Sequence, residues 1–373
     1  MNVDSEVGYK VALSMVPGMT AQTARAFIDA DISFDEFFSL DSVTLSRRLG
    51  ITGSFVFPMA ERQEALRRGM EESVFMRDHH IRCIFLGDES YPSLLDEMVN
   101  APVALYVLGD TDLDARHMLA LVGTRKCTAY GSEFTRRLVA DLAPYYPDMA
   151  VVSGLALGID AAAHGAALEN GLATIAVVAH GLDMIYPAVH RGLARKIIES
   201  GGAIVSEYPR GTRPFQRNFL ERNRIVAALC SVTFVVESEV RGGAMSTASQ
   251  AFHNNREVMA LPGRASDPMS AGCNFLIHSE RAHLVTSAAQ FVELSGWVPQ
   301  HAAAAPRQLN LFPELDGVPK LIYDTLRKEA AAVSLDRLFQ LTNLGMKDLM
   351  VALTEMEFDG IVHKLPGARY ELA

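Results

Sequence analysis

Between residues 118 and 290, short apolar runs rich in β-branched residues alternate with helical patterns, and no other feature of the chain limits its fold as much. Seven such runs read as strands: "MLALVGT", "AVVSG", "TIAVVAH", "AIVSEYP", "VTFVVES", "EVMALPG" and "HLVTS". Five helical stretches fall between them: "GSEFTRRLVADLA", "IDAAAHGAALENG", "HRGLARKIIESG", "FLERNRIVAAL" and "AMSTASQAFHNN". Apolar strands separated by helical crossovers are expected to lie mostly parallel, with helices covering the sheet. The pattern predicts an α/β sheet whose ligand site lies beyond the carboxyl ends of its strands, where helix N-termini converge.

The flanks follow other rules. Near the N-terminus, "VALSMVPGMTAQTARAFIDA" sets a Pro-Gly turn between two helical patterns, and helix continues to about residue 80. This is a helix-hairpin-helix (SAM-like) arrangement over residues 1–80, joined by a connecting extension (81–116) to the sheet domain (117–295). Ala and Pro without periodicity mark a linker at 296–316. Beyond it, "KLIYDTLRKEAA", "SLDRLFQLTN" and "GMKDLMVALTEMEFDG" read as three helices, and "IVHKLPGARYEL" as a hairpin, which together make a winged helix over 317–373. Its third helix carries Asp348, Glu355, Glu357 and Asp359 against Lys347 alone, a poor complement to a DNA groove.

Charge is distributed unevenly. The whole chain has a net charge of −10, but Lys+Arg against Asp+Glu runs 10 to 19 over residues 1–116, 16 to 14 over 117–290, and 8 to 11 over 291–373. Only the sheet region is basic, and within it "YPRGTRPFQRNFLERNR" (208–224) holds five arginines and one acid, the expected footprint of a polyanion. The acid-rich helical start is expected to serve structure or protein contact instead. Cys83, Cys127, Cys230 and Cys273 form no CxxC pair or zinc pattern, so neither a metal nor a cofactor is expected. The start "MNVDSEVGYK" lacks a basic flank and apolar core, and no apolar run is long enough to span a bilayer, which predicts a cytoplasmic protein without membrane contact.

Four Gly- or hydroxyl-rich turns close predicted strands: "VGTR" (122–125), "SGLALG" (153–158), "VVAHGLDMIYP" (177–187) and "VESEVRGGAMST" (236–247). Such turns bind phosphate through unpaired amides and the positive helix end, with Arg125 or Arg241 adding a bidentate contact. The spacing is neither GxGxxG nor GxxxxGK[ST], and GxSxG is absent, which counts against NAD, nucleoside triphosphates and hydrolase triads. Asp160 and His164 share a helix face. The expected roles are an acid at the helix N-terminus and a packed histidine one turn on.

In order, "VGTR", "VVSGLALGIDAAAHGAAL", "TIAVVAHGLDMIYP", "SEYPRGTRP", "FLERNRIVAAL" and "REVMALPG" with "GCNFLIHSERAHLV" closely resemble the DprA/Smf family of DNA-processing proteins. The resemblance covers the whole chain. It implies an extended Rossmann-like domain between a helical domain and a winged helix, and a non-enzymatic function: protecting incoming single-stranded DNA during natural transformation and helping the recombinase RecA load onto it, as a homodimer. Carried over by motif, the DNA-binding residues are Gly123, Arg125, Ser153, Gly154, Gly181, Arg191, Arg222, Arg224, Gly242, Gly243, Ser246 and Thr247. Two departures stand out. Ala188 and Val189 follow Tyr186-Pro187 where relatives often carry a base, so positive charge first appears at His190 and Arg191; and Arg241 is an extra cation at the last turn. Exposed bases would stack on aromatics, for which Tyr186 and Phe215 are the expected partners. The rival reading is a phosphoribohydrolase with a PGGxGTxxE motif, but here "RGGAMSTASQ" sets Ser249 or Gln250 where that chemistry needs glutamate. A duplex-reading regulator is disfavoured by the acidic third helix.

Overall fold

A computed structural model describes residues 3–50, 57–300, 315–329 and 332–372. It opens with α1 (Val3–Met15), α2 (Ala21–Asp29), α3 (Phe34–Ser39), α4 (Ser42–Arg48) and α5 (Met59–Asp78). The Pro-Gly turn separates α1 from α2, and the Thr20 hydroxyl caps α2 by accepting from the Thr23 amide at 3.2 Å. Phe27, Phe37, Phe38 and Phe57 pack ring against ring in the core of this unit. Buried Arg62 donates to the carbonyls of Phe37, Leu40 and Phe57, so a cation stitches three segments together.

The connecting segment holds β1 (Ile81–Phe85), α6 (Ser93–Asp96) and β2 (Ala104–Gly109). These strands pair antiparallel with each other, and β2 pairs antiparallel with β6 (Ala203–Ser206), so they extend the sheet along one edge. The sequence pattern does not reveal them, because a helix and irregular loops, rather than a two-residue hairpin turn, lie between the two strands.

All seven expected strands are present: β3 (Met118–Val122), β4 (Ala150–Ser153), β5 (Ala173–Val177), β6, β7 (Val232–Val235), β8 (Glu257–Ala260) and β9 (His283–Leu284). So are the five expected helices: α7 (Ala129–Leu142), α8 (Ile159–Glu169), α9 (Arg191–Glu199), α10 (Gln216–Leu229) and α11 (Gly243–His253). Two helices join them, α12 (Ala271–His278) and α13 (Ala288–Ser295). The α7 stretch shows why the pattern works: Thr128 caps it, and Phe134, Leu138, Val139 and Leu142 recur at helical spacing to form its buried stripe. Helices α7, α8 and α13 cover one sheet face and α10, α11 and α12 the other, which leaves every residue of β3, β4, β6 and β7 buried.

Strand order is β1-β2-β6-β5-β4-β3-β7-β8-β9, parallel from β6 to β9. The chain winds outward from β3 through β6, then returns to start again at β7 beside β3. A crevice opens where the winding reverses, beyond the carboxyl ends of β3 and β7. This geometry places the site.

His164 on α8 is fully buried; its Nδ1 lies 2.7 Å from the Thr174 hydroxyl, which itself donates to the Val151 carbonyl, and its Nε2 has no partner among the described residues. Burial, reinforced by the nearby Arg222 guanidinium, pushes its pKa down to about 3. The folded state therefore resists protonation that the unfolded chain accepts near pH 6.5, and stability present above that pH is lost as pH falls toward 3. At pH 5 the loss from this one group is about 2 kcal/mol. Denaturant unfolding of wild type and His164→Asn at pH 7 and pH 5 checks it: the variant should lose distinctly less on acidification. Equal losses would dismiss His164 as the source.

The last unit comprises α14 (Gly317–Glu329), β10 (Val333–Ser334), α15 (Leu335–Thr342), α16 (Met346–Phe358), β11 (Val362–Leu365) and β12 (Arg369–Leu372), with sheet order β10-β12-β11. It is the expected winged helix with one short extra strand. Most of the expected linker, 301–314, lies outside the described residues. Among the described residues, no helix is long and apolar enough to cross a membrane, and no three His, Cys, Asp or Glu side chains gather as a metal site.

Candidate nucleic-acid interface

The loop after β3 is tied to the loop after β7 by the Thr124 amide, which donates to the Glu237 carbonyl at 2.7 Å. Buried Glu237 in turn accepts from the Thr128 amide at 2.8 Å and from the Thr128 hydroxyl, fixing the start of α7. The loop after β4 reaches the same place. Gly158, with φ +79°, opens α8 so close to the Thr124 carbonyl that a Cβ would collide with it. These three loops, the start of α10 and the start of α11 enclose a cleft of about 690 Å³.

Arg125, Lys126 and Arg241 stand exposed on the cleft rim, with the exposed carboxylate Glu239 on the same wall. Arg125 has no ion pair among the described residues. Its guanidinium lies 5.0 Å from the centre of the Phe219 ring, and that ring lies 5.9 Å from the ring of Tyr186, tilted at 50°. The result is a ladder of cation, ring and ring. On the cleft wall, α11 begins at Gly243 with no side-chain cap, and of its first turn Gly243 and Ala244 line the cleft, while the Met245 amide donates to the Gly242 carbonyl at 3.1 Å.

The floor differs from the sequence expectation. The "SGLALG" turn should have offered free amides, but the Asp160 carboxylate accepts from Gly154 N at 3.1 Å and from Ala156 N at 3.2 Å. An internal anion fills the position that a phosphate would take. Gly154 is needed instead because a Cβ would run into the Arg222 guanidinium. Ser153 is buried and donates to the Leu121 carbonyl at 2.7 Å, so it does not present its hydroxyl. Burial pushes the Asp160 carboxyl up and the Arg222 guanidinium down, while each charge favours the other. His164 lies fully buried one turn on, as expected.

The arginine-rich segment also needs correction. Arg222 lines the cleft floor but is only 4% exposed, and its guanidinium turns inward to the Val177 carbonyl. Arg224 is paired with Glu207 in a largely buried contact and does not reach the cleft. Arg217 pairs with Glu221, and Arg210 faces Glu72 of α5. Of the five arginines, Arg213 alone is exposed without an ion pair among the described residues. The segment braces the fold because most of the acids that neutralise it come from elsewhere in the chain, where composition alone cannot pair them.

The remaining candidates divide. Gly123 lines the cleft where a Cβ would strike Ile159, and Gly242 where one would strike Ser238. Gly243 faces open space, and Thr247 lines the wall although nearly buried. Ser246 does not line the cleft. Gly181 lies apart from it, its amide bonded to the Thr212 carbonyl at 3.0 Å. Arg191 is exposed at the start of α9, beside a 3-10 turn whose His190 Nδ1 lies 2.8 Å from the Leu155 carbonyl. Neither Tyr186 nor Phe215 lines the cleft itself; Tyr186 joins the ladder through Phe219, which does, whereas Phe215 is 63% exposed. Phe219 escapes the sequence pattern; its signal is an aromatic three residues before Arg222 on the same helix. Lys126, beside Arg125, escapes it too.

Comparisons with known proteins place the chain by family and fold. The family described as DNA recombination-mediator protein A matches residues 82–296, and the DprA winged helix domain matches 300–368. Protein Smf of Synechocystis is 32% identical, with 99% of each chain covered. The putative DNA processing protein DprA of Mycobacterium tuberculosis is 42% identical over 62% of this chain, an alignment that spans 59% of that relative's own length. Among solved structures, DNA processing protein A of Helicobacter pylori, studied for its single-stranded DNA binding mode, superposes with a TM-score of 0.52 at 32% identity, covering 57% of this chain and 94% of its own.

Proposed function

The chain belongs to the DprA/Smf family of DNA-processing proteins, and on that footing we propose that it binds single-stranded DNA across the cleft between β3 and β7. The observation that carries this reading is Arg125: an exposed guanidinium free of ion pairs among the described residues, laid on Phe219 next to Tyr186 and lining the same cleft as the uncapped start of α11. Phosphates are held by Arg125, Lys126 and Arg241 and by the first amides of α11, and bases lie on the aromatic ladder. Arg213 and Arg191 extend the positive track outside the cleft. The Helicobacter pylori protein's single-strand binding supports the same use of this fold.

From family membership we further propose that the protein protects incoming single strands during natural transformation in the cytoplasm and helps load RecA onto them. It does so as a homodimer, for which the exposed Phe252 of α11, Phe275 of α12 and Leu284 of β9 are the apolar candidates. The role is binding rather than catalysis. The cleft's carboxylates are Asp160, engaged by backbone amides, and Glu239 on the rim, while Ser249 and Gln250 lie in α11 where a phosphoribohydrolase needs its glutamate.

Three rim cations, or five with Arg191 and Arg213, each displace counterions on binding. The logarithm of the association constant should therefore fall with the logarithm of salt concentration at a slope between about −2 and −4. Anisotropy titrations of labelled single strand and duplex over a salt series measure both slope and preference. Affinity insensitive to salt, or duplex bound as tightly as single strand, would defeat the reading.

A further inference from the structure

We propose that the N-terminal helical domain is part of the DNA-binding apparatus: Glu72 of α5 positions the paired loops that set Tyr186 against Phe219 at the edge of the cleft. This rests on the reading of the cleft given above. Glu72 is a carboxylate only 5% exposed, and it points out of its own domain. Its Oε1 accepts from the Arg210 amide at 2.9 Å, its Oε2 lies 3.5 Å from Arg210 Nε, and the Arg210 guanidinium lies 4.9 Å from the centre of the Phe75 ring, also on α5. A buried acid that holds both the backbone and the side chain of one loop residue defines where that loop sits.

The held loop is continuous with the cleft. From Arg210 the chain passes to Gly211, whose amide donates to Asp183 Oδ1 at 3.0 Å, and to Thr212, whose carbonyl accepts from Gly181 N at 3.0 Å. The two loops approach so closely that a Cβ on Gly181 would strike the Pro209 carbonyl. Leu182 packs into the cluster of Val11, Phe75 and Met76, which gives the second loop its own apolar anchor in the helical domain. From there the loop returns to the cleft through His180, whose Nε2 accepts from the Tyr186 amide at 3.2 Å. Tyr186 then meets Phe219 beneath Arg125. The helical domain thus fixes one end of a short path whose other end is an aromatic base platform.

The test uses the full chain and an oligothymidylate bearing one 2-aminopurine, whose fluorescence is quenched on stacking. With Glu72→Ala, the quench on binding should largely disappear and the dissociation constant should rise roughly tenfold, the share of one base–aromatic stack. The salt slope should match wild type, because the phosphate contacts remain. Glu72→Gln keeps an acceptor for the Arg210 amide and should restore most of the quench. Arg210→Ala, a surface loop change that leaves α5 intact, should weaken the quench in the same direction and guards against a folding defect in the first variant. Wild-type quench and affinity in folded Glu72→Ala and in Arg210→Ala would overturn the proposal. Were the wild-type protein itself to bind no single strand, the reading of the cleft would fall and this proposal with it.

Discussion

Arg125→Glu is expected to lose two to three orders of magnitude in single-strand affinity while keeping the melting temperature of the wild type. The first half follows from charge. A phosphate ligand is lost, and a carboxylate is placed where a polyanion must approach, together costing about 3–4 kcal/mol in a partly desolvated cleft. The second half follows from packing. The side chain is exposed, lies on Phe219 and has no carboxylate among the described residues to leave unpaired, so its removal breaks no ion pair and opens no cavity. An arginine engaged in a structural salt bridge would behave in the opposite way. Thermal unfolding beside anisotropy titration separates the two, and single-strand affinity unchanged in the folded variant would displace the site from this cleft. A milder partner, Arg125→Ala, should lie between, since it removes the contact without adding repulsion.

Arg125 is legible in the sequence because position fixes it: the residue that leaves a parallel strand at its carboxyl end must project over the crevice. The seven parallel strands and their helices are legible for a similar reason, since each apolar run and each amphipathic stretch carries its own period. Features that depend on distant partners are not. Strand β2 depends on pairing with β6, a contact nearly a hundred residues away, and β1 pairs in turn with β2. The amides of Gly154 and Ala156 look free in the sequence because Asp160, a few residues on, gives no sign of folding back onto them. The arginines of 208–224 look like a polyanion track because Glu72 and Glu207, which neutralise two of them, belong to other elements. Net charge along a window reports supply, whereas availability depends on tertiary partners.

Arg222 puts that distinction to its sharpest test, because motif and structure assign it different work. The motif makes it a DNA ligand; the structure makes it the countercharge of a buried acid. Its guanidinium is directed to the Val177 carbonyl at the end of β5 and compensates Asp160, which holds the β4 turn in shape. Arg222→Met preserves much of the volume and removes the charge. Asp160 keeps its two amide donors but loses the nearby positive charge, and the Val177 carbonyl loses this donor, so the expected loss is about 2 kcal/mol of unfolding free energy. Adding Asp160→Asn removes the buried charge but keeps an acceptor for one amide, so the double variant should be destabilised by less than the two single changes added together. Denaturant unfolding of the three proteins measures that coupling. Single-strand affinity, taken where Arg222→Met remains folded, should fall by less than tenfold, because the rim cations and the Phe219–Tyr186 ladder are untouched. A variant as stable as wild type that has nonetheless lost its DNA would return Arg222 to the role the motif gave it.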